Sequence, residues 1–155
     1  MALTATATPR VRLDVIHNLG MRNPKWFISS FNRPNLKYTI LEKKGKACLN
    51  DILLLIKMNY KRKSGIVYCL SRKETEEVMD CLKKGGILAE AYHAGQSDSW
   101  RNTVLRNWLL DKIHVVVATI AFGMGIDKPD VRFVIHYSLP KSIEGFYQVS
   151  VNYMY

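Results

Sequence analysis

Long apolar runs are missing from the 155 residues. The longest, such as Ile52–Ile56 and Val115–Ala118, fall far short of the roughly 20 residues that cross a bilayer, so no membrane partner is expected. Cysteine is scarce. Cys48, Cys69 and Cys81 form no C-x-x-C pair, which removes any metal-binding or disulfide framework and reads as buried thiols in a reducing compartment. The N-terminus has no basic stretch followed by an apolar core, so no signal peptide is read. No phosphate loop of the form G-x-x-x-x-G-K-S/T occurs, which excludes the usual cradle for a nucleoside triphosphate. No Asp-Glu strand end offers metal ligands, and no serine or cysteine has a histidine at a spacing that supports nucleophilic chemistry. No metal site is expected. Repeats and low-complexity tracts are also lacking, and 48% apolar with 23% charged residues is globular composition.

Positive charge is what the chain has in excess. Lys and Arg number 23 against 13 Asp and Glu, a formal net charge of +10. That excess points to a polyanion, nucleic acid before anionic membrane. Lys57, Lys61, Arg62 and Lys63 form a basic cluster.

The apolar pattern then gives the architecture. Thr8-Pro9 reads as an N-cap followed by proline at the first helical position, with Val11, Val15, Ile16 and Leu19 at helical spacing and Gly20 as the stop. Trp26–Phe31 is expected to be extended and Leu36–Leu41 to be a strand. Cys48, Ile52, Leu55 and Ile56 mark a helix face. Ile66–Leu70 is a buried strand, and Ser71 with Glu74 forms a capping box that opens a helix through Thr75, Val78, Met79 and Leu82 to Gly85-Gly86. Ile87–Tyr92 is a strand, Ser97 or Ser99 starts a helix carrying Trp100, Val104, Leu105 and Trp108, and Ile113–Thr119 and Val131–His136 are strands. Ser142 is expected to cap a last helix through Ile143, Phe146 and Tyr147. Strands apolar on both faces, alternating with amphipathic helices, predict an α/β fold with a parallel sheet covered by helices on both sides.

In such a sheet, ligands bind beyond the carboxyl ends of the strands. Ser71 and Arg72 fall there, and a helix N-terminus, a hydroxyl and a guanidinium together suit a phosphate. An ordinary capping box with a surface arginine accounts for the same residues. His93 and Gly95 follow the next strand, where the glycine lets a backbone approach a ligand or simply turns the chain. Thr119, Gly123, Gly125 and Asp127 follow the third and have the makings of a phosphate-facing loop. His17, His114 and His136 read as surface or core residues. Trp26, Trp100 and Trp108 are potential base-stacking groups, but the helical spacing of the last two favours core packing.

These residues resemble a known family. Ala2-Leu3-Thr4-Ala5-Thr6-Ala7 resembles motif III of superfamily 2 helicases, and Phe31-Asn32-Arg33-Pro34-Asn35-Leu36 resembles the RecQ entry to the second motor lobe. Ile66-Val67-Tyr68-Cys69-Leu70-Ser71-Arg72 is similar to RecQ motif IV, and its Cys-Leu-Ser-Arg to the Bloom-type branch. Ala91-Tyr92-His93-Ala94-Gly95 resembles the next block, the stretch from Ala118 to His136 resembles motif V, and Ser142–Gln148 the opening of motif VI. The resemblance implies a RecA-like fold of the phosphate-loop NTPase type. It implies part of an ATP-driven helicase that moves 3′ to 5′ on DNA, with ATP and Mg2+ as cofactors of the whole enzyme. Residues 1–30 would end the first lobe, 31–148 would be the second lobe, and 149–155 a tail outside the family pattern. Ser71, Arg72, His93, Gly95 and Thr119 would line the DNA-backbone track. Gly125 and Asp127 would stand at the lobe interface near ATP, and Thr4 and Thr6 would couple hydrolysis to DNA. The implied partners are DNA, as single strand and junctions, and the first lobe.

The resemblance breaks after Gln148. Motif VI continues in the family through two arginines that reach the ATP phosphates, whereas here the chain reads Val149-Ser150-Val151-Asn152-Tyr153-Met154-Tyr155. Gln-Val-Ser is one translation of CAG followed by the splice-donor sequence GTAAGT, so the tail reads as intron read-through. That implies a eukaryotic, nuclear parent, and sequencing the spliced transcript tests it. On its own the chain is expected not to hydrolyse ATP. The alternative is a non-catalytic nucleic-acid-binding module.

Overall fold

The computed structural model describes residues 1–4, 8–28, 34–43, 45, 47–119, 122, 126, 128–140, 142 and 146. The chain divides into two compact units, Met1–Lys37 and Tyr38–Tyr155. The first contains helix α1 (Pro9–Asn18). Thr8 caps it through Oγ1, which accepts from the Val11 N–H at 3.4 Å. Gly20 stops it at φ +56°, where Gly20 donates to the His17 carbonyl and Met21 to that of Ile16. Val11, Val15 and Ile16 are only half-buried and Leu19 is exposed, so this helix has no buried residue.

The second unit runs α2 (Ala47–Asn59), β1 (Ser64–Tyr68), α3 (Arg72–Lys84), β2 (Ala89–Tyr92), α4 (Asp98–Leu109), β3 (Val115–Ala118) and β4 (Val131–His136). The four strands make one parallel sheet in the order β2-β3-β1-β4. Residues alternate between its faces, as the pleat requires. Val67, Cys69, Val115 and Val117 pack under Ile52 and Ile56 of α2 and Val78 and Leu82 of α3. Ile66, Tyr68, Val116 and Ala118 pack under Val104 and Trp108 of α4. Helices therefore cover both faces, as the apolar pattern predicts. Burial pushes the Cys69 thiol up to about 12, with the Glu74 carboxylate adding to the effect.

One irregularity sets the edge strand. Ser64 pairs with Val131, but Gly65 pairs with Phe133, so Arg132 is an extra residue in β4. The bulge turns Val131 to the α4 face and Phe133 to the opposite face, although residues two apart in a regular strand share one. The Phe133 ring lies over Gly65, where any Cβ would overlap it, and it also packs against Tyr60 at a centroid distance of 4.7 Å.

Two expectations, the Leu36–Leu41 strand and a buried Trp100, are corrected, and two others fall partly outside the described residues. Leu36–Leu41 joins no ladder, and Ile40 is 97% exposed. An alternating pattern makes a strand only where an edge is available to pair with. Trp26, Phe27 and Ile28 are exposed and unpaired in any sheet, and Ser29–Phe31 lie outside the described residues. Trp108 is fully buried, but Trp100 is about half exposed. Eight residues along a helix turn it about 80° beyond two full turns, so the two rings do not share a line on the surface. Of the last expected helix, only Ser142 and Phe146 are described, joined by a hydrogen bond from the Phe146 N–H to the Ser142 carbonyl at 3.1 Å.

Candidate nucleic-acid interface

The loops beyond the carboxyl ends of β1, β2 and β3 hold five of the residues singled out in the sequence. Ser71 is the N-cap of α3, accepting from the Glu74 N–H at 3.1 Å. Glu74 completes the box, its carboxylate accepting from the Leu70 and Ser71 N–H groups at 2.9 and 3.3 Å and from the Ser138 hydroxyl at 3.1 Å. Part of the capacity of this helix terminus to bind an anion is thus taken by the chain's own carboxylate. The Arg72 and Lys73 amides follow in the first turn, and both residues are exposed.

Arg72 extends from there towards the loop after β2. A Cβ on Gly95 would stand 3.1 Å from the Arg72 Cδ, 3.2 Å from one of its terminal nitrogens and 3.1 Å from the His93 Nδ1. Arg72, His93 and Gly95 therefore meet, and the missing side chain of Gly95 is what leaves room for the guanidinium. His93 is 7% exposed. Its Nδ1 accepts the Gly95 N–H at 3.2 Å, which leaves Nε2 to carry the proton and donate to Glu76 at 2.7 Å. The imidazole thus braces the glycine turn against α3. Gln96 closes the turn, accepting from the His93 N–H at 3.2 Å and donating to the Ala91 carbonyl at 3.1 Å.

Thr119 begins the loop after β3. Its N–H donates to the Tyr92 carbonyl at 3.3 Å, and its own carbonyl accepts from the Phe122 N–H at 3.0 Å. Tyr68 reaches across from β1 and donates its hydroxyl to the Phe122 carbonyl at 2.8 Å. Thr119 therefore stands beside the end of β2, on the same edge of the sheet as Arg72 and His93. Gly125, Asp127 and Thr6 lie outside the described residues, and Thr4 belongs to the first unit.

Sequence reasoning missed the supporting shell. Glu76 stands among Glu74 and Glu77, and spacing alone does not say which of them faces His93. It also missed Lys128, which is 4% exposed at the opposite end of the sheet and bonds Asp111 and Asp130, each at 2.9 Å. Burial alone would favour the neutral amine, but the two carboxylates outweigh it and hold Lys128 above the usual lysine range. The hydrogen bond from Lys128 in turn holds Asp111 below the usual carboxylate range.

The sequence has no phosphate loop, and among the described residues no three His, Cys, Asp or Glu side chains converge. Among them, too, no helix is long and apolar enough to cross a membrane.

The chain resembles known proteins in sequence and in fold. Residues 45–151 match the helicase conserved C-terminal domain family. The chain is 59% identical over 148 residues to the RecQ-like DNA helicase blm-1 of Caenorhabditis elegans, covering 96% of this chain and 15% of that protein. It is 56% identical over 151 residues to the RecQ-like DNA helicase BLM of Xenopus laevis, covering 97% of this chain and 11% of the relative. Among solved structures, S. cerevisiae Dbp5 bound to RNA and ADP BeF3 matches at a TM-score of 0.79 and 19% identity, over 94% of this chain and 39% of the other, a likeness of fold. A DEAD box protein from Methanococcus jannaschii matches at a TM-score of 0.72 and 26% identity, with the same coverage. The chain spans a small part of its relatives, and it belongs to the helicase conserved C-terminal domain family, in its RecQ, Bloom-type branch.

Proposed function

We propose that the chain is the second motor lobe of an ATP-dependent RecQ-type helicase that moves 3′ to 5′ on DNA in the nucleus, in replication, recombination and repair. Residues 1–30 end the first lobe, 31–148 form the second, and 149–155 are a tail outside the family pattern. DNA passes as a single strand over the carboxyl edge of the sheet. Arg72 and the first amides of α3 take phosphate oxygens there, and Gly95 and Thr119 let the backbone lie close. Thr4 and Thr6 couple the first lobe to DNA, and Gly125 and Asp127 face the lobe interface. ATP and Mg2+ are bound by the whole enzyme, and no hydrolytic step is assigned to this chain's own side chains.

The observation that carries this reading is the convergence of Arg72, Gly95 and a braced His93 at one edge of a parallel sheet. The test is fluorescence anisotropy with a labelled oligothymidylate across a salt series. Binding should weaken steeply with salt, and Arg72→Ala should lower affinity and flatten the log-log slope by about 0.7, the contribution of one phosphate on a single strand. Lys61→Ala with Arg62→Ala should change little, because these residues precede β1. A double variant that matters more than Arg72→Ala, or a folded chain that binds no oligonucleotide at low salt, would sink the proposal.

A further inference from the structure

The basic cluster has a place of its own. The turn that carries Lys61, Arg62 and Lys63 lies between α2 and β1 and is closed by the Lys63 N–H on the Tyr60 carbonyl at 3.0 Å, with Arg62 at φ +56°. Together with Lys57 it rims a cleft of about 480 Å³. The floor is aliphatic, made by Ile56, Ile87, Leu88 and Val115, and His114 stands at its side. Every floor or rim segment precedes a strand or begins one: 61–63 before β1, 86–88 before β2, 114–115 at the start of β3. Because the strands are parallel, the cleft opens at the amino edge of the sheet, the end opposite Arg72, His93 and Thr119.

The charge there is unspent. No acidic side chain lines the cleft, and none of Lys57, Lys61, Arg62 and Lys63 forms an ion pair among the described residues. The volume is that of a ligand site. Leu88, among the aliphatic lining, is 52% exposed and so offers apolar surface for an anchor to cover.

We propose that this cleft docks an acidic peptide segment that inserts one aliphatic side chain. Carboxylates answer the four cations of the rim, and the aliphatic anchor answers the floor. The observations favour a peptide over nucleic acid. The lining offers one phenol ring, Tyr60, and it is packed on Phe133, so no platform of aromatic faces stands ready to stack bases. A strand of DNA following the carboxyl edge also leaves the amino edge free. The surface is therefore suited to an acidic segment of a partner protein, held while DNA is bound.

The probe is a fluorescein-labelled dodecapeptide of aspartate and glutamate with one central leucine, titrated with the full 155-residue chain at low salt. Saturable binding is expected. Replacing the peptide's leucine by serine should weaken it about tenfold, the order expected for burying one aliphatic side chain. Lys61→Ala with Arg62→Ala should weaken it about fivefold, and Leu88→Asp should weaken it also, each with a circular-dichroism melt like that of the unmodified chain. Arg72→Ala should leave it unchanged, so this proposal and the helicase reading fail separately. The proposal is overturned if the serine peptide binds as well as the leucine one, if no saturable binding is seen, or if oligothymidylate loses as much affinity as the peptide in the Lys61, Arg62 variant, which would make the cleft a nucleic-acid site. Should a variant unfold, the comparison of the two peptides on the unmodified chain still decides.

Discussion

Single side chains in this domain take opposite roles according to burial. His93 is nearly enclosed but has a partner on each ring nitrogen. His136 stands at the end of β4 in contact with the rings of Tyr68 and Phe146, at 5.7 and 4.8 Å, and burial holds its imidazole below the ordinary 6.5. The sign of its effect follows from proton counting. Below 6.5 the unfolded chain takes up a proton at this position that the folded chain resists, so His136 contributes a loss of stability as pH falls from about 7. His136→Phe keeps an aromatic ring in contact with Tyr68 and Phe146 and removes the titration. The drop in urea midpoint between pH 7.5 and 5.5 should be smaller in the variant, and an unchanged drop would show that other groups carry it.

At the scale of elements, the sheet depends on a close approach that only glycine permits. Gly65→Ala puts a methyl group into the Phe133 ring, which also packs against Tyr60. Overpacking of this kind costs about 1–3 kcal/mol, to be read as a lower urea midpoint. Phe133→Leu in the same chain should recover part of the loss. Much of this level was legible in the sequence. The caps at Thr8, Ser71 and Ser97, the stops at Gly20 and Gly86, and the four strands of the sheet followed from local chemistry that the fold does not override. The bulge at Arg132 was not legible, because Val131–His136 reads equally well as a regular strand and only its pairing with Ser64 and Gly65 exposes the extra residue. Leu36–Leu41 failed for the converse reason, since it has the pattern and no partner edge. At the candidate site the strand-end positions of Arg72, His93, Gly95 and Thr119 were readable, but the side chains that brace them were not. Glu76 meets His93 through a crossing from α3 to the loop after β2, a pairing that depends on the tertiary fold.

On the scale of the whole molecule, the two units differ in what they bury. The second has two apolar clusters, one on each face of its sheet. The first has a helix with no buried side chain, and Leu13, Trp26, Phe27 and Ile28 are exposed. Contiguous apolar surface of several hundred Å² drives association. Removing residues 1–37 is therefore expected to raise the concentration at which the protein stays clear of turbidity. A shortened chain that aggregates at the same or a lower concentration would place the liability in the second unit, where Ile40 and Leu139 are also exposed.

The carboxylate of Glu74 at the start of α3 has a kinetic meaning for anything that travels across this edge. On the DNA track proposed above, a phosphate would meet a positive helix end already part-neutralised from within by Glu74, so its resting place would be shallow and its departure quick. Glu74→Gln retains an oxygen for the Leu70 and Ser71 amides but removes the charge. It should slow oligothymidylate dissociation about two- to threefold in stopped-flow chase experiments while lowering stability by less than about 1 kcal/mol. Tighter grip in a less stable protein would mean that this helix terminus is tuned for letting go.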